Sequence, residues 1–230
     1  MSRDPSAALS LPLVPEAPRP AAPVAPRPGS LVFHQVFARL SADPSPALTL
    51  FTGAGRISSL ALPFAALFTA RGETVAVAEA ANCFNLYRLT EWARRHGREP
   101  LELLNRLRIA RSFNPFQLAV ILEHMGGEMA RYQATRLIVT GLPDCLYDEE
   151  LSEMEARSTM ARCRQSLEHL ASQATVLAFA ESPPHPVAGR ARFQDSLVAL
   201  AHTVFEIHPT APVAFVPTKA PGLVSVPQGD

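Results

Sequence analysis

Short apolar runs rich in β-branched and aromatic residues alternate along this chain with longer stretches of helical periodicity. Residues 47–52 read as a strand, Gly53 and Gly55 break it, residues 57–69 carry the apolar density of a buried helix, and residues 74–78 return as a second strand. Over residues 84–96, Phe84, Leu86, Leu89 and Trp92 alternate with Arg88, Arg94 and Arg95, which predicts an amphipathic helix with Gly97 as its C-cap. A connecting stretch, 98–106, leads to a short strand at 107–110. Asn114 and Pro115 then open a helix as N-cap and first helical residue, with Leu118, Ile121, Leu122 and Met125 as its apolar stripe.

Buried strands are predicted at 136–140 and 174–180. The helix between them starts after the acids Asp148, Glu149, Glu150, Glu153 and Glu155, which suit the positive end of its dipole, and runs to about residue 172. Pro183, Pro184 and Pro186 force a loop, a short helix follows at 193–201, and strands at 203–208 and 213–216, of antiparallel character, close the pattern. Strands alternating with helices predict an α/β fold of three layers, a mostly parallel sheet with helices on both faces. Ligands of such sheets sit beyond the C-terminal strand ends, so residues 52–59, 79–84, 141–144 and 181–184 are expected to share one rim.

Composition adds boundaries. At 230 residues, 47% hydrophobic, with mean hydropathy +0.08, the chain suits one domain with tails. Prolines crowd residues 1–30, which read as a disordered tail; 31–216 form the domain and 217–230 a flexible C-terminal tail. Formal net charge is zero, so no global positive field gathers nucleic acid or an anionic membrane. Lys219 is the only lysine, and it falls in that loose tail. Cys83, Cys145 and Cys163 are odd in number and lack C-x-x-C spacing, which argues against a disulfide framework and a zinc site and fits a cytoplasmic protein. Residues 7–14 are apolar but brief and hold Pro12, so no signal peptide is expected, and no run reaches the length of a membrane span.

Candidate chemistry centres on the glycine turn. A P-loop needs Gly-Lys-Ser/Thr where its helix begins, because backbone amides cradle phosphate, the lysine neutralises it and the hydroxyl holds magnesium. Here Gly53, Ala54, Gly55 and Arg56 lead to Ile57, Ser58 and Ser59. Further on come Glu79-Ala80-Ala81-Asn82-Cys83-Phe84, then Arg88-Leu89, then Arg111-Ser112-Phe113-Asn114 ahead of Gln117, and then the buried run Leu137-Ile138-Val139. In order, spacing and length these landmarks resemble the ATPase core of the RecA/RadA recombinase family, from about residue 37 to 208.

The resemblance implies a RecA-like P-loop fold whose catalytic positions are lost. Ser58 falls on the P-loop lysine and Ile57 on the glycine before it, while Ser59 keeps a hydroxyl at the magnesium position. The catalytic glutamate falls on Ala81, the Walker B aspartate on Gly141 or Thr140, and the polar sensor near Glu181 and Ser182. The family's first DNA-contacting loop coincides with the acidic stretch, and the second, 181–190, offers only Arg190, so DNA binding is expected to be weak or absent. These expectations describe a pseudo-ATPase without cofactor, not an enzyme, that serves DNA recombination or repair by binding a protein, RecA-like or another repair factor. Phe33 and Phe37 are the candidates for docking on a neighbouring subunit, although Phe33-His34-Gln35-Val36 ends in Val where the family has Ala. Their other reading is a helix covering one end of the sheet.

Two alternatives stay open. Gly53, Gly55 and Ser58 form a G-x-G-x-x-S turn after a strand, and Glu79 ends the second strand where an acid could hold a ribose, which would suit a Rossmann-type oxidoreductase binding NAD(P). A divergent active ATPase would use Arg56 on phosphate and Asp144 or Glu79 on magnesium. Nucleophilic catalysis has no support, because neither Cys145 nor Cys163 stands in a catalytic signature.

Overall fold

In each central strand, alternate side chains face opposite sides of one sheet, and each side acquires its own core. Leu48, Leu50, Ala76, Ala78, Leu137, Val139, Val176 and Ala178 point to one side, whereas Phe51, Val75, Val77, Ile138, Leu177 and Phe179 point to the other. The computed structural model describes residues 29–182, 190, 192–208 and 213–220. Residues 1–28 of the tail expected over 1–30, the proline loop at 183–186 and residues 221–230 lie outside the described residues.

The strands are β1 (Leu31–Val32), β2 (Ala47–Gly53), β3 (Val75–Glu79), β4 (Leu107–Arg111), β5 (Arg136–Thr140), β6 (Thr175–Glu181), β7 (Thr203–His208) and β8 (Ala214–Lys219). Among the described residues they form one eight-stranded sheet in the order β1-β8-β7-β2-β6-β5-β3-β4. β7 through β4 pair in parallel; β8 runs antiparallel to β7, and β1 antiparallel to β8. The fold is thus α/β with a mostly parallel sheet, as the alternation predicts.

Helices α1 (Phe33–Ala42), α2 (Ala61–Ala70), α3 (Leu86–Arg95) and α4 (Pro100–Leu104) cover one face; α5 (Pro115–Tyr132), α6 (Glu153–Ala171) and α7 (Phe193–Leu200) cover the other. The first face is a phenylalanine layer. The Phe51 ring stacks on Phe179 at 4.8 Å and on Phe205 at 5.5 Å, with Phe64 at 5.2 Å. Each such ring, fully buried, contributes about 2–3 kcal/mol of transfer free energy. Arg136, 2% exposed, ties α1 beneath the sheet: it donates to Glu73 at 2.7 Å and to the Leu40 carbonyl at 3.0 Å, and lies over the Phe68 ring.

Several expectations need correction. Phe33 and Phe37 pack into the chain's own core instead of standing free: half-buried Phe33 lies 4.6 Å from the Phe64 ring, and Phe37, 9% exposed, packs on Phe64 and Phe68 with Arg71 over its ring. They close the end of the phenylalanine layer, which is the covering-helix alternative. The stretch before β4 contains α4, with Glu99 as N-cap and Pro100 opening it. β8 continues to Lys219, so residues 217–219 belong to the sheet and not to a tail. Lys219 is anchored there, its ammonium donating to the carbonyls of Val198 and Ala199 at 3.1 and 3.0 Å, at the C-terminal end of α7.

Candidate functional site at the C-terminal rim

β2, β3, β5 and β6 end side by side, and the loops that leave them form the expected rim. At the end of β2, Gly53 passes so close to β7 that a Cβ there would meet the Ile207 carbonyl oxygen at 2.6 Å, and Gly55 turns the chain at φ +88°. A short 3-10 segment, Ile57–Leu60, then runs into α2. The turn is tied to β6, because the Ser182 amide donates to the Gly53 carbonyl at 2.8 Å.

The three amides at the start of this helical segment all have partners within the chain. The Ile57 amide donates to Gly55 O at 2.8 Å, the Ser58 amide to Glu181 Oε1 at 3.1 Å, and the Ser59 amide to Arg56 O at 3.1 Å. Ile57 is 4% exposed and packs into the phenylalanine layer. Ser58 is 1% exposed, and its hydroxyl has no hydrogen-bond partner. Ser59 donates its hydroxyl to Arg56 O at 2.6 Å. Where a P-loop turns amides and a hydroxyl outward, this loop turns them inward and sets a carboxylate against one of them.

Glu181 is brought there by strand order. β6 pairs with β2 in parallel, with Glu181 opposite Gly53. Asp144, in the turn after β5, accepts from the Glu181 amide at 3.2 Å. Its own carboxyl is pushed up to about 7, first by burial and further by the neighbouring Glu181 charge, against the lowering effect of that amide. The rim thus holds two acids close together, one of them largely removed from water.

Glu79, the ribose-holding acid of the dinucleotide alternative, is fully buried at the end of β3. It accepts from the amides of Cys83 at 2.6 Å and Phe84 at 3.3 Å, and Arg111 Nε lies 2.6 Å from its other oxygen. Arg111 also donates to the Phe84 carbonyl at 3.1 Å. Glu79 therefore folds the 80–84 connection back against β4.

Beside it, Gly141 has φ +81°, and a Cβ would lie 2.6 Å from both Ala80 C and Ala81 N. An aspartate at 141 would require the 80–81 backbone to move. Thr140 is fully buried and its hydroxyl has no hydrogen-bond partner, while the Cys83 thiol donates to the Ser58 carbonyl at 3.3 Å.

The thiols are poor nucleophiles. Burial, and then the charge of Glu79, pushes Cys83 up to about 11, while Cys145 and Cys163 stand at about 12, chiefly from burial. Among the described residues no group of three or more His, Cys, Asp or Glu could hold a metal ion. A cleft of about 440 Å³ opens on the rim, but its walls, including Ala80, Phe113, Asp144 and Tyr147, take nothing from residues 53–59.

Two neighbouring segments also prove structural. Ser152 and Glu155 form a capping box at the start of α6, and Asp148 accepts from the Glu150 amide at 3.0 Å, so the acidic stretch is largely helix-start chemistry. Arg190, 5% exposed, donates to the carbonyls of Leu146, Asp148 and Leu151. It holds this stretch in place instead of facing a nucleic acid.

Against this geometry, the chain matches no family model and no curated protein. Among the described residues no helix is long and apolar enough to cross a membrane. Sequence reasoning reached the glycine loop, Glu79, Asp144 and Glu181, but not the partnerships of Glu79 with Arg111 or Glu181 with Ser58. The available signal was a charged residue closing an apolar strand run, as in Ala178-Phe179-Ala180-Glu181 and Val77-Ala78-Glu79.

Proposed function

We propose that this chain is a catalytically inactive, RecA/RadA-like subunit that serves DNA recombination or repair by binding protein and not by hydrolysing nucleotide. The observation that carries the reading is the closed loop: the amides of Ile57, Ser58 and Ser59 are engaged internally, and the Glu181 carboxylate accepts from Ser58. A phosphate entering there would have to displace a carboxylate of its own sign and break backbone bonds. The glycine loop, Ala81, Gly141 and Glu181 also gather on neighbouring strand ends, the relation a recombinase-like core calls for.

The alternatives fare less well. A ribose at Glu79 would have to break its contacts with Arg111, Cys83 and Phe84. Asp144 is partly protonated near neutral pH and makes a weak magnesium ligand. Arg56 is exposed, but without a lysine, and with the amides of Ile57, Ser58 and Ser59 engaged, it would have to supply most of the charge that holds a triphosphate.

Calorimetry with Mg·ATP, NAD(H) and NADP(H) tests the reading. No binding is expected for the parent chain or for Ser58→Lys, since the substitution leaves Ile57, Glu181 and the engaged amides in place. Micromolar Mg·ATP binding by Ser58→Lys would sink the claim, and dinucleotide binding by the parent would promote the oxidoreductase. Weak or absent DNA binding at low salt is the companion expectation, and micromolar affinity would count against a purely protein-binding role.

A further inference from the structure

A groove of about 490 Å³ runs between α6 and α7, with Arg157, Arg164 and Arg192 on its walls and Met160 and Phe193 among its lining residues. Met160 is 4% exposed and Phe193 7%, so the floor is the edge of the core and the arginines stand on its outer rim. Arg157 pairs with Glu153 one turn earlier, both side chains being more than half exposed. Among the described residues no ion pair or side-chain hydrogen bond engages Arg164 or Arg192. Arg192 is also the N-cap of α7, where no side chain caps the helix; Asp195 in the first turn offsets the positive end of the helix dipole, so the positive field of the groove comes from the three arginines.

In a chain of zero net charge this is a local concentration of positive charge over an apolar floor. We propose that the groove docks an acidic segment of a protein partner, with carboxylates on Arg157, Arg164 and Arg192 and an apolar side chain against Met160 and Phe193. Guanidinium forks take carboxylates in two-pronged pairs, and the floor supplies an anchor that charge alone does not.

A nucleic acid fits less well. A long polyanion along α6 would meet Glu149, Glu150 and Glu153 at its start. Phe193 is 7% exposed, enough for contact with one side chain but short of the open ring face on which a base stacks. The groove shares no residue with the 53–59 loop, so this inference stands or falls apart from nucleotide binding.

Fluorescence anisotropy on the full chain tests it. The probes are a labelled peptide rich in Asp and Glu with a central Leu, the same peptide with Asn and Gln in place of the acids, and an oligo-dT of similar length. The acidic peptide is expected to bind, the amide peptide not, and added salt to weaken the complex. Arg164→Glu with Arg192→Glu should lower affinity roughly tenfold, given two exposed pairs made repulsive. Arg164→Lys with Arg192→Lys should retain most of the binding, and the charge-matched control Arg94→Glu with Arg95→Glu should change nothing. Circular dichroism verifies that each variant is folded. Equal binding of acidic and amide peptides, or an unchanged affinity in the Arg164→Glu, Arg192→Glu variant, overturns the proposal. Tighter binding of oligo-dT that the same variant abolishes would overturn it in favour of a nucleic-acid groove.

Discussion

Replacing Asp144 by Asn should stabilise the protein at alkaline pH and do little at acid pH. The carboxyl stands at 3.8 in its ordinary state and at about 7 in the fold, because burial and the nearby Glu181 charge both oppose ionisation. Below 3.8 the group is protonated in both states and carries no penalty. As pH rises toward 7, unfolding releases a proton that folding retains, so the native state loses stability progressively; above 7 the loss is constant. The full interval corresponds to about 4 kcal/mol at pH 8 and about 2 kcal/mol at pH 5, as order-of-magnitude values. Asn keeps an oxygen to accept from the Glu181 amide, which the carboxylate does at 3.2 Å, and removes only the charge. Urea unfolding of parent and Asp144→Asn at both pH values should therefore show the variant's advantage growing by about 2 kcal/mol between them. A difference that does not change with pH would refute the account of Asp144 as a carboxyl held out of water beside a second acid.

Other parts of the rim give sharper mechanical tests. Arg111→Met leaves Glu79 buried with only the Cys83 and Phe84 amides, and should cost about 2 kcal/mol in urea unfolding; the usual penalty of a broken buried pair is discounted because Arg111 is 40% exposed. Adding Glu79→Gln should recover part of that loss, and strictly additive effects would dissolve the supposed coupling. Gly141→Ala puts a Cβ 2.6 Å from the 80–81 backbone at a positive φ, and should lower stability by about 2–4 kcal/mol in the same assay. A variant as stable as the parent would mean that position 141 can carry a side chain after all.

Along the chain, apolar periodicity was enough to find the central strands and long helices: β5 falls on residues 136–140 as expected, and Asn114 caps α5 through the Gln117 amide. It was not enough to find α4, a single turn whose Glu99-Pro100 start is a capping signal without room for a periodic stripe. The rim was legible as a set of strand ends, but its contacts were not. Glu181 reaches Ser58 because β6 lies next to β2, and strand order leaves no trace in local sequence. Phe33 and Phe37 illustrate the converse error: exposed and buried phenylalanines look alike until the opposite wall, here Phe64, Phe68 and Phe215, is known. Lys219 lies beyond Pro217, a residue that disfavours a strand interior, yet β8 lies near the sheet edge, and the strand runs through Pro217 beside a register shift.

Most of the catalytic positions that the recombinase resemblance marks as lost are engaged in contacts of the fold itself. Ile57 fills the core, Ser58 meets Glu181 and Cys83, Gly141 lies against Ala80 and Ala81, and Ser182 closes on Gly53. An ATPase that had merely lost its lysine would leave a vacant cradle, which a single substitution could refill. A cradle whose amides bond to its own backbone and to a glutamate must instead be opened before it can bind, and opening it exposes a buried isoleucine and leaves several hydrogen bonds unmade. Each of those bonds is worth about 1 kcal/mol net, and an exposed isoleucine about 2 kcal/mol. A ligand would have to overcome that sum without the lysine and with Glu181 repelling it, so the recombinase-like reading carries the expectation that binding energy comes from surfaces away from the glycine loop.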